Sequence, residues 1–200
     1  MRPPPLAAAC LLLSLALRAA AGESAWRDMS LPPEAVQLNR TAAAAASSAT
    51  ATRLYAQSLR LCPSNGPALH GLGRALLDQD RAADALKIFR RMDALFPGDP
   101  EIFEALAAAL ARLPDARRAD IAEGLAFAEQ AAQLRPAAPE AWHVLSVLRH
   151  LAGDYAAAAE AARQAVALDA QSPSDSETTA LYQQQETACA DALSVFSPLD

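Results

Sequence analysis

A helix-like run that closes on Leu-x-Pro recurs along this 200-residue chain at nearly even intervals. Leu61-Cys62-Pro63, Leu95-Phe96-Pro97, Leu134-Arg135-Pro136 and the near copy Leu168-Asp169-Ala170 lie 34, 39 and 34 residues apart. After each of the last three comes a proline placed to open the next helix: Pro100, Pro139 and Pro173. Self-similarity at this period marks a chain built by stacking one supersecondary unit, and about 34 residues is the length of a helix–turn–helix. Much of the 52% hydrophobic content is alanine and only 5% of residues are aromatic, a composition that favours helices with small, closely approaching sides. No stretch alternates with period two for long enough to form a sheet.

Within residues 66–99, Leu69, Leu72, Gly73 and Leu76 share one face of a first helix. Gln79-Asp80-Arg81 interrupts the apolar pattern, and Ala85, Phe89 and Met92 continue it on a second helix. Gly73 and Ala85 are small enough to let the two helices cross closely, and Pro97 ends the pair because proline lacks an N–H and restricts its predecessor. Residues 139–172 repeat the scheme with Trp142, Leu145, Ser146, Ala158, Ala162 and Ala165 around a Gly153-Asp154-Tyr155 turn. Residues 100–138 carry Phe103, Leu106, Ala107 and Leu110, then Gly124, Ala128, Ala131 and Leu134. Five extra residues near Leu113–Asp120 must be absorbed by that turn or by the first turn of the second helix.

These residues resemble the tetratricopeptide repeat family, whose pattern is W-x2-L-G-x2-Y…A-x3-F…P. Leu69, Leu72-Gly73, Leu76, Ala85, Phe89 and Pro97 meet it in one copy; Trp142, Leu145, Ala158 and Ala165 meet it in another. Departures are Ser146 for Gly, Arg149 for Tyr, Ala162 for the aromatic, Ala170 for the last Pro, and Gly124 where Ala is usual. The resemblance implies an all-α, right-handed α-solenoid of antiparallel helix pairs. Residues 32–65 read as a degenerate copy: a helical hairpin, with one long helix or a partial linker as alternatives, because residues 41–52 are almost entirely Ala, Ser and Thr. Ser174-Asp175-Ser176-Glu177 reads as a capping box that starts a final helix to about Ser194, within a capping helix and tail over 173–200. Such an end helix covers the apolar side that a last repeat otherwise leaves in water.

Residues 1–21 read as a secretory signal, with a minimal basic Met1-Arg2, an apolar run from Leu6 to Leu17 and small residues Ala19-Ala20-Ala21 at the cleavage site. Residues 22–31 then form an N-terminal extension. Removing the signal takes the formal charge from −6 to −8, which disfavours nucleic acid and anionic membranes as partners. Export makes a disulfide between Cys62 and Cys189 worth weighing, but the two stand near opposite ends of the proposed array, and bridged Cα atoms must lie within about 7 Å. Asn39-Arg40-Thr41 is a glycosylation sequon if the source glycosylates secreted proteins.

Signatures of catalysis are absent from the sequence: there is no HExxH, no GxSxG and no phosphate-cradling glycine loop. His143 and His150 are seven residues apart on one helix, about 10 Å along its axis, too far to chelate one metal without a third group. Neither a cofactor nor a metal is expected. In the family, the first helices of the repeats line a concave groove. The matching positions here are His70, Arg74 and Asp78, then Glu101, Glu104, Ala108 and Arg112, then Glu140, His143, Val147 and His150. The Lys/Asn/Arg clamp with which some members hold a C-terminal carboxylate is not matched: Ala105, Glu140 and Val144 stand among its positions. The expectation is a protein-binding adaptor, assembly factor or co-chaperone that takes an extended peptide or partner helix of some basic character. An accessory or substrate-presenting domain of an enzyme system is the alternative, with a truncated gene hiding a catalytic partner.

Overall fold

A computed structural model describes residue 24 and residues 26–196, and among these it contains nine helices and no strand. The helices are α1 (Pro33–Ala43), α2 (Ser48–Leu61), α3 (Gly66–Leu77), α4 (Ala82–Leu95), α5 (Pro100–Ala111), α6 (Arg118–Leu134), α7 (Pro139–Ala152), α8 (Tyr155–Asp169) and α9 (Ser176–Phe196). The chain divides into two compact units, one through Ala105 and one from Leu106. Residues 1–21, with the proposed signal, lie outside the described residues.

In the first unit each helix packs on its neighbour in sequence from α1 to α4. Glycine sets the spacing. A Cβ on Gly71 would stand 2.2 Å from the Tyr55 ring, and one on Gly73 would stand 2.3 Å from the Phe89 ring, so these aromatics lie directly on α3 backbone. Phe89, Leu69 and Met92 are fully buried as a result. The α3–α4 turn carries no glycine; Asp80 takes the left-handed conformation instead, at φ 56°. A buried polar knot ties α1 and α2 to the start of α3. Asn65 caps α3 by accepting from Ala68 N at 3.0 Å, donates to Ser58 Oγ at 2.9 Å and exchanges bonds with Asn39, while Ser58 donates to the Ala35 carbonyl at 3.1 Å. Asn39 therefore sits within α1 with its amide engaged, not on a free loop.

The second unit packs α6 on α7, α7 on α8, and α9 on both α8 and α7. Gly124 repeats the close-approach device, since a Cβ there would meet Leu148 at 2.8 Å. The five extra residues are shared: residues 112–117 form a longer turn, and α6 has 17 residues against 15 in α8. Trp142 Nε1 donates to the Pro136 carbonyl at 2.9 Å, which fastens α7 to the Leu-x-Pro turn before it. Where that proline is missing, at Ala170, Asp169 holds the turn by accepting from Ser174 N at 2.9 Å and Thr179 Oγ1 at 2.7 Å. The cap of α9 is Asp175, which accepts from Glu177 N and Thr178 N, and not Ser174 as the capping-box spacing suggested. An aspartate one residue later offers a charged acceptor to the same helix terminus. The helix ends at Phe196, two residues beyond Ser194.

Two side-chain N-caps, Ser47 and Asn65, differ in burial. Ser47 accepts from Thr50 N at the surface, whereas Asn65 is fully buried. Asn65→Ala is expected to cost about 2–3 kcal/mol, because it removes a cap and leaves Ser58 and Asn39 short of partners, while Ser47→Ala costs about 1 kcal/mol or less. Urea unfolding followed by circular dichroism checks the difference.

Candidate functional site

The first-helix positions fall into two sets, one in each unit. In the first unit they are His70, Arg74 and Asp78 on or beside α3, with Glu101 and Glu104 on the opening turns of α5. Arg74 and Asp78 are exposed; His70, Glu101 and Glu104 are half-buried. Asp99 builds this corner by capping α5, accepting from Glu101 N at 3.0 Å and Ile102 N at 3.4 Å.

The face is already occupied by the chain itself. Trp26 stacks on His70 with ring centroids 4.7 Å apart and is 2% exposed. Gly66 permits the approach, because a Cβ there would stand 2.5 Å from Trp26 Cβ. Arg27 lies over the Trp26 ring at 4.4 Å and reaches Glu101 Oε2 through Nη2 at 2.7 Å. Ser24 donates to Asp99 at 3.3 Å, and the Arg27 amide closes a turn on the Ser24 carbonyl at 3.0 Å. Met29 Sδ accepts from Gly66 N at 3.3 Å. Nothing in the repeat pattern pointed to Trp26 or Arg27; the available signal was a Trp-Arg pair in the otherwise mostly small and polar stretch from Gly22 to Ser30. Burial, with the Arg74 guanidinium nearby, lowers His70 from an ordinary 6.5 to about 4, so it is a neutral ring at physiological pH.

In the second unit Arg112 is exposed, while Glu140, His143 and His150 are half-buried. The histidines face α9. His143 packs 5.0 Å from the buried Tyr182 ring, and His150 Nδ1 lies 3.7 Å from Cys189 Sγ, with the His150 ring 5.3 Å from that of Tyr155. Burial, then the charge of Arg112, lowers His143 to about 4. A Cys–His contact invites comparison with an activated thiol, but burial pushes the Cys189 thiol up, which works against a nucleophilic thiolate. Cys62 and Cys189 are both free thiols. Among the described residues no three His, Cys, Asp or Glu side chains gather to hold a metal, and no helix is long and apolar enough to cross a membrane.

The two neutral histidines link stability to pH. The unfolded chain binds protons near pH 6.5 and the folded chain only near 4, so their contribution is complete above about pH 6.5 and declines as pH falls towards 4. Each histidine is expected to remove up to about 1.4 kcal/mol per pH unit across that window. Urea midpoints measured from pH 7.5 to 4 should fall less steeply in a His70→Phe, His143→Phe double variant, which keeps a ring at both positions.

A tetratricopeptide repeat family model matches residues 42–110, from the end of α1 to the end of α5. No curated protein sequence matches the chain. Among solved structures, a thermophilic tetratricopeptide repeat protein of Thermus thermophilus is similar at TM-score 0.61 and 22% identity, over 83% of this chain and 91% of that one. The APC/C hetero-tetramer Cut9–Hcn1 is similar at TM-score 0.71 and 18% identity, over 91% of this chain but 36% of that one. An O-GlcNAc transferase mutant of Thermobaculum terrenum is similar at TM-score 0.58 and 23% identity, over 72% of this chain and 27% of that one. With helices packed on their neighbours within each unit, the chain has the tetratricopeptide repeat fold, and residues 42–110 match the tetratricopeptide repeat family in sequence.

Proposed function

We propose that the chain is a protein–protein interaction scaffold, an adaptor, assembly factor or co-chaperone, that works in an exported compartment and has no catalytic role of its own. Its partner is a peptide or partner helix held on first-helix faces, with His70, Arg74, Glu101 and Glu104 as the contact set in the first unit. One observation carries this reading: that face holds a polypeptide segment by a buried aromatic, a turn and an ion pair, which are the contacts a peptide ligand makes. The acidic side chains at its edge favour a partner with basic character. Export rests on the composition of residues 1–21. A second reading, an accessory or substrate-presenting domain of an enzyme system, draws on the likeness to part of the O-GlcNAc transferase.

Charge reversal tests the reading. Glu101→Lys with Glu104→Lys is expected to abolish partner capture from the exported fraction while helical content stays at the wild-type level. Recovery of the same partners by both forms would move the binding surface elsewhere. N-terminal sequencing of protein from that fraction is expected to begin at Gly22.

A further inference from the structure

We propose that the α3–α5 face of the first unit is a recognition site for a short aromatic–basic segment folded in a single turn, and that Ser24–Met29 of the chain itself closes it in cis. This deepens the scaffold reading above by naming the partner chemistry and its control, and it rests on that reading.

Three features separate an occupant from a structural strut. The segment belongs to no helix or strand, and its contacts to the face include the Trp26 ring and the side chains of Ser24, Arg27 and Met29. Its basic end is reachable from solvent, because the Arg27 side chain is 56% exposed even while paired to Glu101. Its buried end fits imperfectly, because Trp26 Nε1 is enclosed and meets no protein acceptor, a mismatch that an incoming aromatic without that N–H would not carry. The receiving surface is equally specific. Gly66 leaves room for an aromatic Cβ, the neutral His70 ring offers a stacking plane, Asp99 accepts a hydroxyl and Glu101 accepts a guanidinium. A ligand in trans must match an aromatic followed by a base, and it competes with a tethered copy whose effective concentration is about millimolar. Apparent affinity then scales with the fraction of chains in which the segment is displaced.

The probe is a labelled synthetic peptide of residues 22–31, Gly-Glu-Ser-Ala-Trp-Arg-Asp-Met-Ser-Leu, followed by fluorescence anisotropy against the full chain. The Trp26→Ala, Arg27→Ala chain is expected to keep wild-type helical content and to bind the peptide at least about tenfold more tightly than wild type. The single variant Arg27→Glu, which leaves the ring in place and repels Glu101, should give a smaller gain in the same direction. Adding Glu101→Arg to the opened chain should abolish binding of this peptide and permit binding of a peptide carrying Arg27→Glu. Equal binding by wild-type and opened chains would overturn the proposal. So would no binding to a folded opened chain, or loss of helical content in the double variant, which would make the segment part of the core. Those failures leave the scaffold reading standing if partner capture still depends on Glu101 and Glu104.

Discussion

The structure depends on how closely side chains approach helix backbone. Tyr55 of α2 and Phe89 of α4 lie against α3 at Gly71 and Gly73, and Leu148 of α7 lies against α6 at Gly124. A methyl at any of these positions would stand well inside contact distance, so the interhelix spacing is fixed by what glycine leaves out. Alanine does the same work elsewhere: Ala158, Ala159 and Ala162 form a buried cluster with Cys189, and Leu193 packs against it. A core of such small side chains buries little area per residue, so it stabilises by close packing over many contacts more than by bulky side chains.

Close packing of helix pairs leaves first-helix faces to be covered. In the second unit α9 lies on α7 and α8, setting Tyr182 against His143 and Cys189 against His150. In the first unit the cover is a non-helical segment with Trp26 on His70. The two covers differ in kind. The contact of α9 includes buried Tyr182 and Cys189 along a 21-residue helix, whereas the segment places buried Trp26 and Ser24, Met29 and one partly exposed ion pair. Under these covers His70 and His143 pack against aromatic rings as neutral imidazoles.

The periodic features were the legible ones. Gly73 as a point of close helix approach, the Gly153 turn with φ 83° and Ala158, Ala162 and Ala165 in the core all follow from the repeat spacing, although the side chain that meets Gly73 is Phe89. What escaped was non-periodic. Asp80 takes a left-handed turn without glycine, Asp175 displaces Ser174 as the cap of α9, and Asn65 joins Asn39 and Ser58 across 26 and 7 residues. Each depends on where a side chain of one element meets another, which spacing along a single helix does not encode. Asn39 shows the consequence. Its triplet suggests a surface modification site, while its amide is engaged with a buried cap. Trp26 escaped for the same reason, since no repeat position corresponds to it and its meaning comes from the tertiary contact with His70.

The occupied face also bears on why the first-helix charges look mixed. Glu101 is paired with Arg27 in the folded chain, so its charge is balanced by a group that no groove-position pattern includes. Release of the segment would uncover the neutral His70 ring and the recess at Gly66, beside Glu101. In the closed chain the pair lies at the edge of the face, with the Arg27 side chain 56% exposed and that of Glu101 15% exposed. A partner that supplies both an aromatic ring and a base would have to replace the Trp26 stack and the Arg27 ion pair together, and that double requirement is itself a source of selectivity.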